Sequence, residues 1–227
     1  MIPKIIHHIW MSDNVIPNLN LYASQSVKDM NTDFEYKLWR DNDVDNLMKT
    51  EFSKYYDKFN ELPRLIMKID MFRYFLMYKF GGLYTDMDYL MFKPFDLLDY
   101  EIVIPANRDR DNNGHFTNLG NCIFASIPNH PFWKGLIDTL FTIDRSKLPY
   151  TSKEDVINST GPTFVFNMYK KYNQIIDNDT VIYVPERHMF HPDSSHITNN
   201  YINELKNKGT YGLHLCTALW LNSNNNL

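Results

Sequence analysis

Two aspartates one residue apart, Asp86 and Asp88, stand directly behind a glycine pair in the stretch Gly81-Gly82-Leu83-Tyr84-Thr85-Asp86-Met87-Asp88. On an extended strand, side chains at i and i+2 leave the same face, so these carboxylates converge. Their mutual repulsion is relieved by a hard divalent cation. Mg²⁺ or Mn²⁺ takes one or two carboxylates and fills its other positions with waters and substrate phosphates. An ion so placed stabilises the charge that develops when a bond to phosphate breaks. A bare Asp-x-Asp is usually a solvated surface pair. Here Leu83, Tyr84, Met87, Leu90 and Met91 surround the acids, and that setting favours the site.

Asp70 and Arg73 lie three residues apart on the segment before the glycines, hence on one side of a helix. Alone they would read as an intrahelical salt bridge of little worth. Directly upstream of the acid pair they read as a carboxylate for sugar hydroxyls and a guanidinium for phosphate or hydroxyl. Trp10 closes the first apolar run and serves either as a core residue or as a stacking platform for a base. Of His7 and His8, which point to opposite faces of a regular strand, at most one faces the site. His214 is either a packed histidine or a neutral nitrogen that completes the metal shell. Thr160-Gly161-Pro162 is either a plain turn or a helix amino terminus with free N–H groups for an anion.

These residues need elements to hold them. Lys4 to Trp10 is a β-branched run suited to a buried strand, and residues 34–39 alternate as a second one. A helix is expected from Asn18 to Met30 and another from a cap at Asp43 to about Phe59. Leu62, Leu65, Ile66, Ile69, Phe72, Leu76 and Phe80 recur at helical spacing, ended by Gly81-Gly82. Strands are expected at 83–92, 101–106, 121–126, 181–184 and 211–215, and helices at 132–143, 162–172 and 197–207. Residues 221–227 are expected to form a frayed tail. Alternating strands and helices predict one α/β domain over 1–227 with a mixed, mainly parallel sheet.

Composition bounds the rest. A 44% apolar fraction in 227 residues supports a sizeable core, and a net charge of −4 gives no basic footprint for nucleic acid. Cys122 and Cys216 lie in apolar text and are expected to be buried thiols in a reducing compartment. No apolar run reaches the ~18 residues of a transmembrane segment. The first strand begins almost at Met1, so neither a signal peptide nor an anchor is expected, and the location expected is cytoplasmic, in a bacterium or for a virus within its host cell. There is no G-x-S-x-G, Walker loop, C-x-x-C or H-E-x-x-H.

Lys68-x-Asp70-x-x-Arg73 followed by Gly81-Gly82-x-Tyr84-x-Asp86-x-Asp88 resembles the D-x-D sugar-transferase family, glycosyltransferase family 32 in type. That family includes the yeast initiating α-1,6-mannosyltransferase, vertebrate α-1,4-galactosyl- and N-acetylglucosaminyltransferases, and capsular polysaccharide enzymes of bacteria and viruses. More distantly the chain is similar to the glucosylating domains of large clostridial toxins. Ile2 to Trp10, Asn121, His130-Pro131, Thr160-Gly161-Pro162 and His214…Trp220 match the family's outer landmarks. The resemblance implies a GT-A (Rossmann-like) fold, a Mn²⁺ or Mg²⁺ ion and retention of anomeric configuration. It implies catalytic or donor-contacting roles for Asp70, Arg73, Asp86 and Asp88. It further implies donor contacts for Trp10, His8, Tyr84, Asn121, Gly161 and Trp220, and metal ligation by Asp86, Asp88 and His214. The chain departs from the family in having Leu219, not a small polar residue, before Trp220.

The expected function is transfer of a hexose or N-acetylhexosamine from a UDP- or GDP-sugar to a glycan or glycolipid acceptor. Two alternatives stand beside it: a toxin-like transferase acting on a protein side chain, and an inactive nucleotide-sugar-binding module.

Overall fold

The computed structural model describes residues 1–12, 14–142, 152–175 and 182–217. The chain runs β1 (Ile5–Ile9), α1 (Asn18–Met30), β2 (Glu35–Trp39), α2 (Asp41–Glu51), α3 (Ser53–Asn60), α4 (Leu65–Phe80), β3 (Gly82–Thr85) and β4 (Tyr89–Met91). It continues through β5 (Ile102–Val103), β6 (Ile123–Ser126), α5 (Pro131–Thr142), α6 (Lys153–Ser159), α7 (Pro162–Ile175), β7 (Ile182–Tyr183), α8 (Arg187–Phe190), α9 (Asn199–Asn207) and β8 (Gly212–His214).

Six strands form one sheet in the order β2-β1-β3-β6-β5-β7. β1 pairs in parallel with both β2 and β3, and β5 with β7, whereas β6 runs antiparallel to β3 and β5. The sheet is therefore mixed and mostly parallel. From β1 the chain passes by α1 to β2 on one side and later reaches β3 on the other. Between β1 and β3 the order reverses, and a crevice opens outside the carboxyl ends of strands at such a point. Ile9-Trp10 and Thr85-Asp86 both end there.

α4 passes under the sheet with Met67, Met71, Phe72, Tyr74, Phe75, Leu76 and Met77 all buried, which is why it is apolar on nearly every side. Gly81 and Gly82 turn the chain from α4 into β3 with φ of +64° and +88°, a region that disfavours side chains. A Cβ on Gly82 would stand 2.6 Å from the Ile5 carbonyl oxygen, so β3 can lie against β1 only without one.

Several boundaries differ from expectation for identifiable reasons. The helix expected to reach Phe59 breaks at Phe52, whose ring turns inward to meet Phe75 at 4.5 Å. Asp43 is the third residue of α2 rather than its cap, and its carboxylate accepts from the Arg40 N–H at 3.0 Å. α4 starts at Leu65 instead of Leu62 because Pro63 disfavours a helical Leu62. The strand expected over 83–92 is two strands in different sheets: β4 leaves the main sheet and pairs antiparallel with β8. Among the described residues no helix is long and apolar enough to cross a membrane.

Candidate functional site

Asp86 and Asp88 do not lie on a strand. They occupy the turn between β3 and β4, closed by a bond from the Tyr89 N–H to the Asp86 carbonyl at 3.1 Å. The expected convergence holds, but a tight turn produces it instead of strand alternation. Pairing of Tyr89 with His214 in the β4–β8 ribbon then brings the imidazole onto the acids. His214 Nε2 is 3.0 Å from Asp88 Oδ1 and 3.8 Å from Asp86 Oδ2. One ligand atom each from Asp86, Asp88 and His214 lie within 4.8 Å of one another. Two hard carboxylates and one imidazole suit Mn²⁺ or Mg²⁺ with positions left for phosphate oxygens and water.

Behind the acid pair stands a buried polar cluster on α4. Arg73 Nη2 is 3.2 Å from Asp70 Oδ1, and Nη1 is 3.4 Å from Asp86 Oδ1 and donates to the Asn121 carbonyl. The guanidinium also lies 4.9 Å from the Tyr84 ring centre, and the Tyr84 hydroxyl donates to Asp86. Asn121 Nδ2 donates to Asp70 Oδ1 at 3.1 Å, and Thr160 Oγ1 to Asp70 Oδ2 at 2.8 Å. Asp70 is only 3% exposed with both oxygens engaged, so here it serves as the counter-ion of Arg73.

The charges follow from this packing. Burial pushes Asp70 up to about 6, although Arg73 and the Thr160 bond pull it down. Asp86 is also raised by burial, against the opposing pull of Arg73 and His214. Burial would raise Asp88 too, but bonds from His214 and Thr217 outweigh it and hold the carboxyl at about 2. Burial works against a charged His214, yet the neighbouring Cys122 and Asp88 hold its proton well above the usual range. Arg73 stays charged because Asp86, Tyr84 and Asp70 outweigh its desolvation.

Not every expected residue reaches the site. His8 is fully buried, with Nε2 2.5 Å from Thr85 Oγ1 and Nδ1 3.3 Å from the Tyr36 hydroxyl. His7 is equally enclosed, accepting from Trp39 Nε1 and bonding the Gly81 carbonyl. A strand in the parallel part of a sheet is covered on both faces, so neither histidine faces the crevice. His8 is thus a support for β3, not a donor contact. Gly161 offers no free N–H either, because the Thr160 and Gly161 amides both donate to the Val156 carbonyl and Pro162 has none. What the Thr-Gly-Pro segment supplies is the Thr160 hydroxyl on Asp70. Trp10 stands partly buried at the end of β1, its indole donating to the Asn14 carbonyl at 3.1 Å. Cys122 is buried as expected, but Cys216 is exposed. Trp220 lies outside the described residues.

Thr217 belongs to the site although no motif in the sequence singles it out. Its N–H and its hydroxyl donate to Asp88 Oδ2 at 2.9 and 2.8 Å. A hydroxyl residue three positions beyond His214 was the available signal.

Residues 17–107 match a family model described as the glycosyltransferase sugar-binding region containing the DXD motif. Over 98% of its length the chain is 28% identical to inositol phosphoceramide mannosyltransferase 2 of Schizosaccharomyces pombe, covering 62% of that protein. It is 30% identical over 86% of its length to the mannosyl phosphorylinositol ceramide synthase CSH1 of Saccharomyces cerevisiae, covering 50% of it. An uncharacterized glycosyltransferase of Acanthamoeba polyphaga mimivirus is 26% identical over 85% of this chain and 74% of its own. Among solved structures, the PaToxG glycosyltransferase superposes with a TM-score of 0.60 at 18% identity, over 78% of this chain and 70% of that one. The UDP-bound glycosyltransferase domain from the YGT toxin gives 0.55 at 10% identity, over 81% and 79%. At such identities the likeness speaks for the fold, which is GT-A.

Fold and site together define a GT-A domain with two aspartates and a histidine meeting in its crevice. The match to the DXD-containing glycosyltransferase sugar-binding family extends over residues 17–107 and takes in Asp70, Arg73 and the acid pair. The chain spans between half and two thirds of the length of the two yeast relatives.

Proposed function

We propose that this chain transfers a hexose, with retention of configuration and with Mn²⁺ or Mg²⁺, from a nucleotide diphosphate-sugar to a glycan or lipid-linked acceptor. The observation that carries this reading is the meeting of Asp86, Asp88 and His214 beside the Arg73 cluster at the point where the strand order reverses.

Asp86, Asp88 and His214 would hold the cation, which supplies Lewis-acid stabilisation of the leaving diphosphate. The protein's own part is preorganisation. Arg73 is held by Asp70, Asn121 and Asp86 before any donor arrives, so a fixed positive charge needs no reorganisation as negative charge develops. Asp70, through Asn121 and Thr160, ties α4 to β6 and α7 and keeps that guanidinium in register. Trp10, partly buried at the rim beyond β1, would stack on the base. The names of the yeast relatives support mannose and an inositol-phosphate lipid as the first donor sugar and acceptor to try.

The test is a panel of GDP- and UDP-sugars scored for cation-dependent hydrolysis, then for transfer to saccharide, lipid and protein acceptors. Turnover of one donor that stops on chelation is the expected result. No turnover of any donor with either ion would leave the nucleotide-binding module as the better description. Transfer to protein acceptors alone would establish the toxin-like alternative. The anomeric configuration of the product, read by NMR, decides retention.

A further inference from the structure

All the bonds that the 214–217 segment sends to the acid turn fall on one residue, Asp88. The Leu215 N–H donates to its carbonyl at 2.9 Å, and Thr217 donates twice to Oδ2. Oδ1 is left facing His214 Nε2 at 3.0 Å and the space shared with Asp86. On the far side of the ring, His214 Nδ1 lies 3.3 Å from Cys216 Sγ. That sulfur lies 3.6 Å from the His214 carbonyl, in reach of an S–H donor, and the Ser194 hydroxyl donates to it at 3.6 Å. The thiol proton therefore has an acceptor of its own, and the sulfur accepts the Nδ1–H. Cys216 also has φ of +51°, a conformation side chains seldom take and one that persists where surroundings impose it. This turn swings the Thr217 N–H back onto Asp88.

We propose that Thr217 and Cys216 are positioning residues that set how the site presents itself to a cation. This inference rests on the metal-dependent reading above. Thr217 occupies Oδ2 and leaves Asp88 a single oxygen to offer. Cys216, accepting from Nδ1, fixes the ring so that Nε2 points into the space shared with Asp86 and Asp88, where a bound cation would take the place of its proton. One-oxygen carboxylates with an imidazole suit a six-coordinate ion such as Mn²⁺. Ca²⁺ prefers more oxygens and often takes both from one carboxylate. The pair therefore contributes to selection of Mn²⁺ over Ca²⁺ as well as to affinity. Partners that orient metal ligands typically change affinity by about 10- to 100-fold when removed.

The experiment is titration of the purified chain with Mn²⁺ followed by electron paramagnetic resonance, where bound ion loses the signal of the aquo ion, with Ca²⁺ as competitor. Thr217→Val keeps the shape and the backbone N–H but removes the hydroxyl bond. It should weaken Mn²⁺ binding about tenfold and narrow the Mn²⁺/Ca²⁺ ratio, while Thr217→Ser restores both. Cys216→Gly keeps the left-handed turn without its strain and removes the sulfur, so it should weaken Mn²⁺ similarly, with Cys216→Ser closer to the parent. Thermal midpoints without metal identify any variant that has lost its fold, and the two serine variants then carry the comparison. Parent-like affinity and discrimination in both Thr217→Val and Cys216→Gly would overturn the inference while the metal site stands. A parent that binds no Mn²⁺ would overturn the metal reading itself, and this inference with it.

Discussion

A guanidinium with 2% of its surface exposed keeps its charge only if the surroundings supply the compensation that water would have given. Arg73 meets this with Asp70, Asp86 and the Asn121 carbonyl. Removing the cation leaves two carboxylates facing each other across a low-polarity gap. Arg73→Met should therefore cost about 3–5 kcal/mol of stability, the usual penalty for orphaning a buried charge, together with loss of transfer. Urea unfolding measures the first and donor turnover the second. Unchanged stability would mean that Asp70 and Asp86 are neutral and the cluster is not an ionic one. Asp88→Asn addresses the other half of the site. It retains the shape and the Thr217 bonds in part but lowers the charge offered to a cation, so turnover should fall at least about 100-fold, several kcal/mol in barrier. A folded Asp88→Asn protein with near-parent turnover would remove Asp88 from the chemistry.

The segment that positions these side chains is the α4–β3 junction, and its tolerance is measurable. Gly82 combines φ of +88° with a Cβ position 2.6 Å from the Ile5 carbonyl, so Gly82→Ala meets both backbone strain and a backbone clash. Strain of this kind costs about 1–3 kcal/mol before the clash is added, and the thermal midpoint should fall accordingly. A midpoint within a degree of the parent's would show that β3 can shift off β1. The glycine pair and the α4 periodicity were legible in the sequence because cap chemistry and helical spacing are local signals. So were β1, α1, α7 and the meeting of Asp70, Arg73 and the acid pair. The D-x-D turn was not, since leaving the main sheet at Thr85 is decided by β8, whose His214 lies 126 positions beyond Asp88. β5 and β7 do fall inside the strands expected at 101–106 and 181–184, but only two residues of each are strand, because ladder length is set by the neighbouring strand. α6, not among the expected helices, does carry a local signal, the Ser152-x-x-Asp155 capping box. The fate of His8 depended on which strands flank β1, and spacing alone does not carry that.

At the scale of the whole molecule, the buried histidines set how the fold responds to acid. Burial drives His7, His8 and His191 down to about 3, from the 6.5 of an ordinary imidazole. In the unfolded chain each ring takes a proton as pH falls through 6.5; in the folded chain none does until about 3. Their contribution is therefore fully present above pH 6.5 and is lost on acidification, at up to about 1.4 kcal/mol per pH unit for each ring. Asp70 works the other way. With its carboxyl raised to about 6, it binds a proton in the folded state first, which offsets part of the loss below that pH. His214, raised above its ordinary value, contributes stability that is complete below pH 6.5 and lost at higher pH, a second and smaller offset over the same window. Burial also raises Asp86, which adds to the offset in the same sense as Asp70. Three lowered rings still outweigh these terms. Stability should fall by about 2 kcal/mol between pH 7 and pH 5.5, a large share of the roughly 5–15 kcal/mol typical of a domain. Urea midpoints at the two pH values measure it directly. His191→Asn supplies the control, because its ring makes only a 3.7 Å contact with Cys122 Sγ through Nδ1 and its Nε2 has no partner among the described residues. Removing that ring should take away about 1.2 kcal/mol of that fall, more than half of it. A midpoint that holds or rises toward pH 5.5 would mean that these histidines are reached by water and protonate within the folded protein.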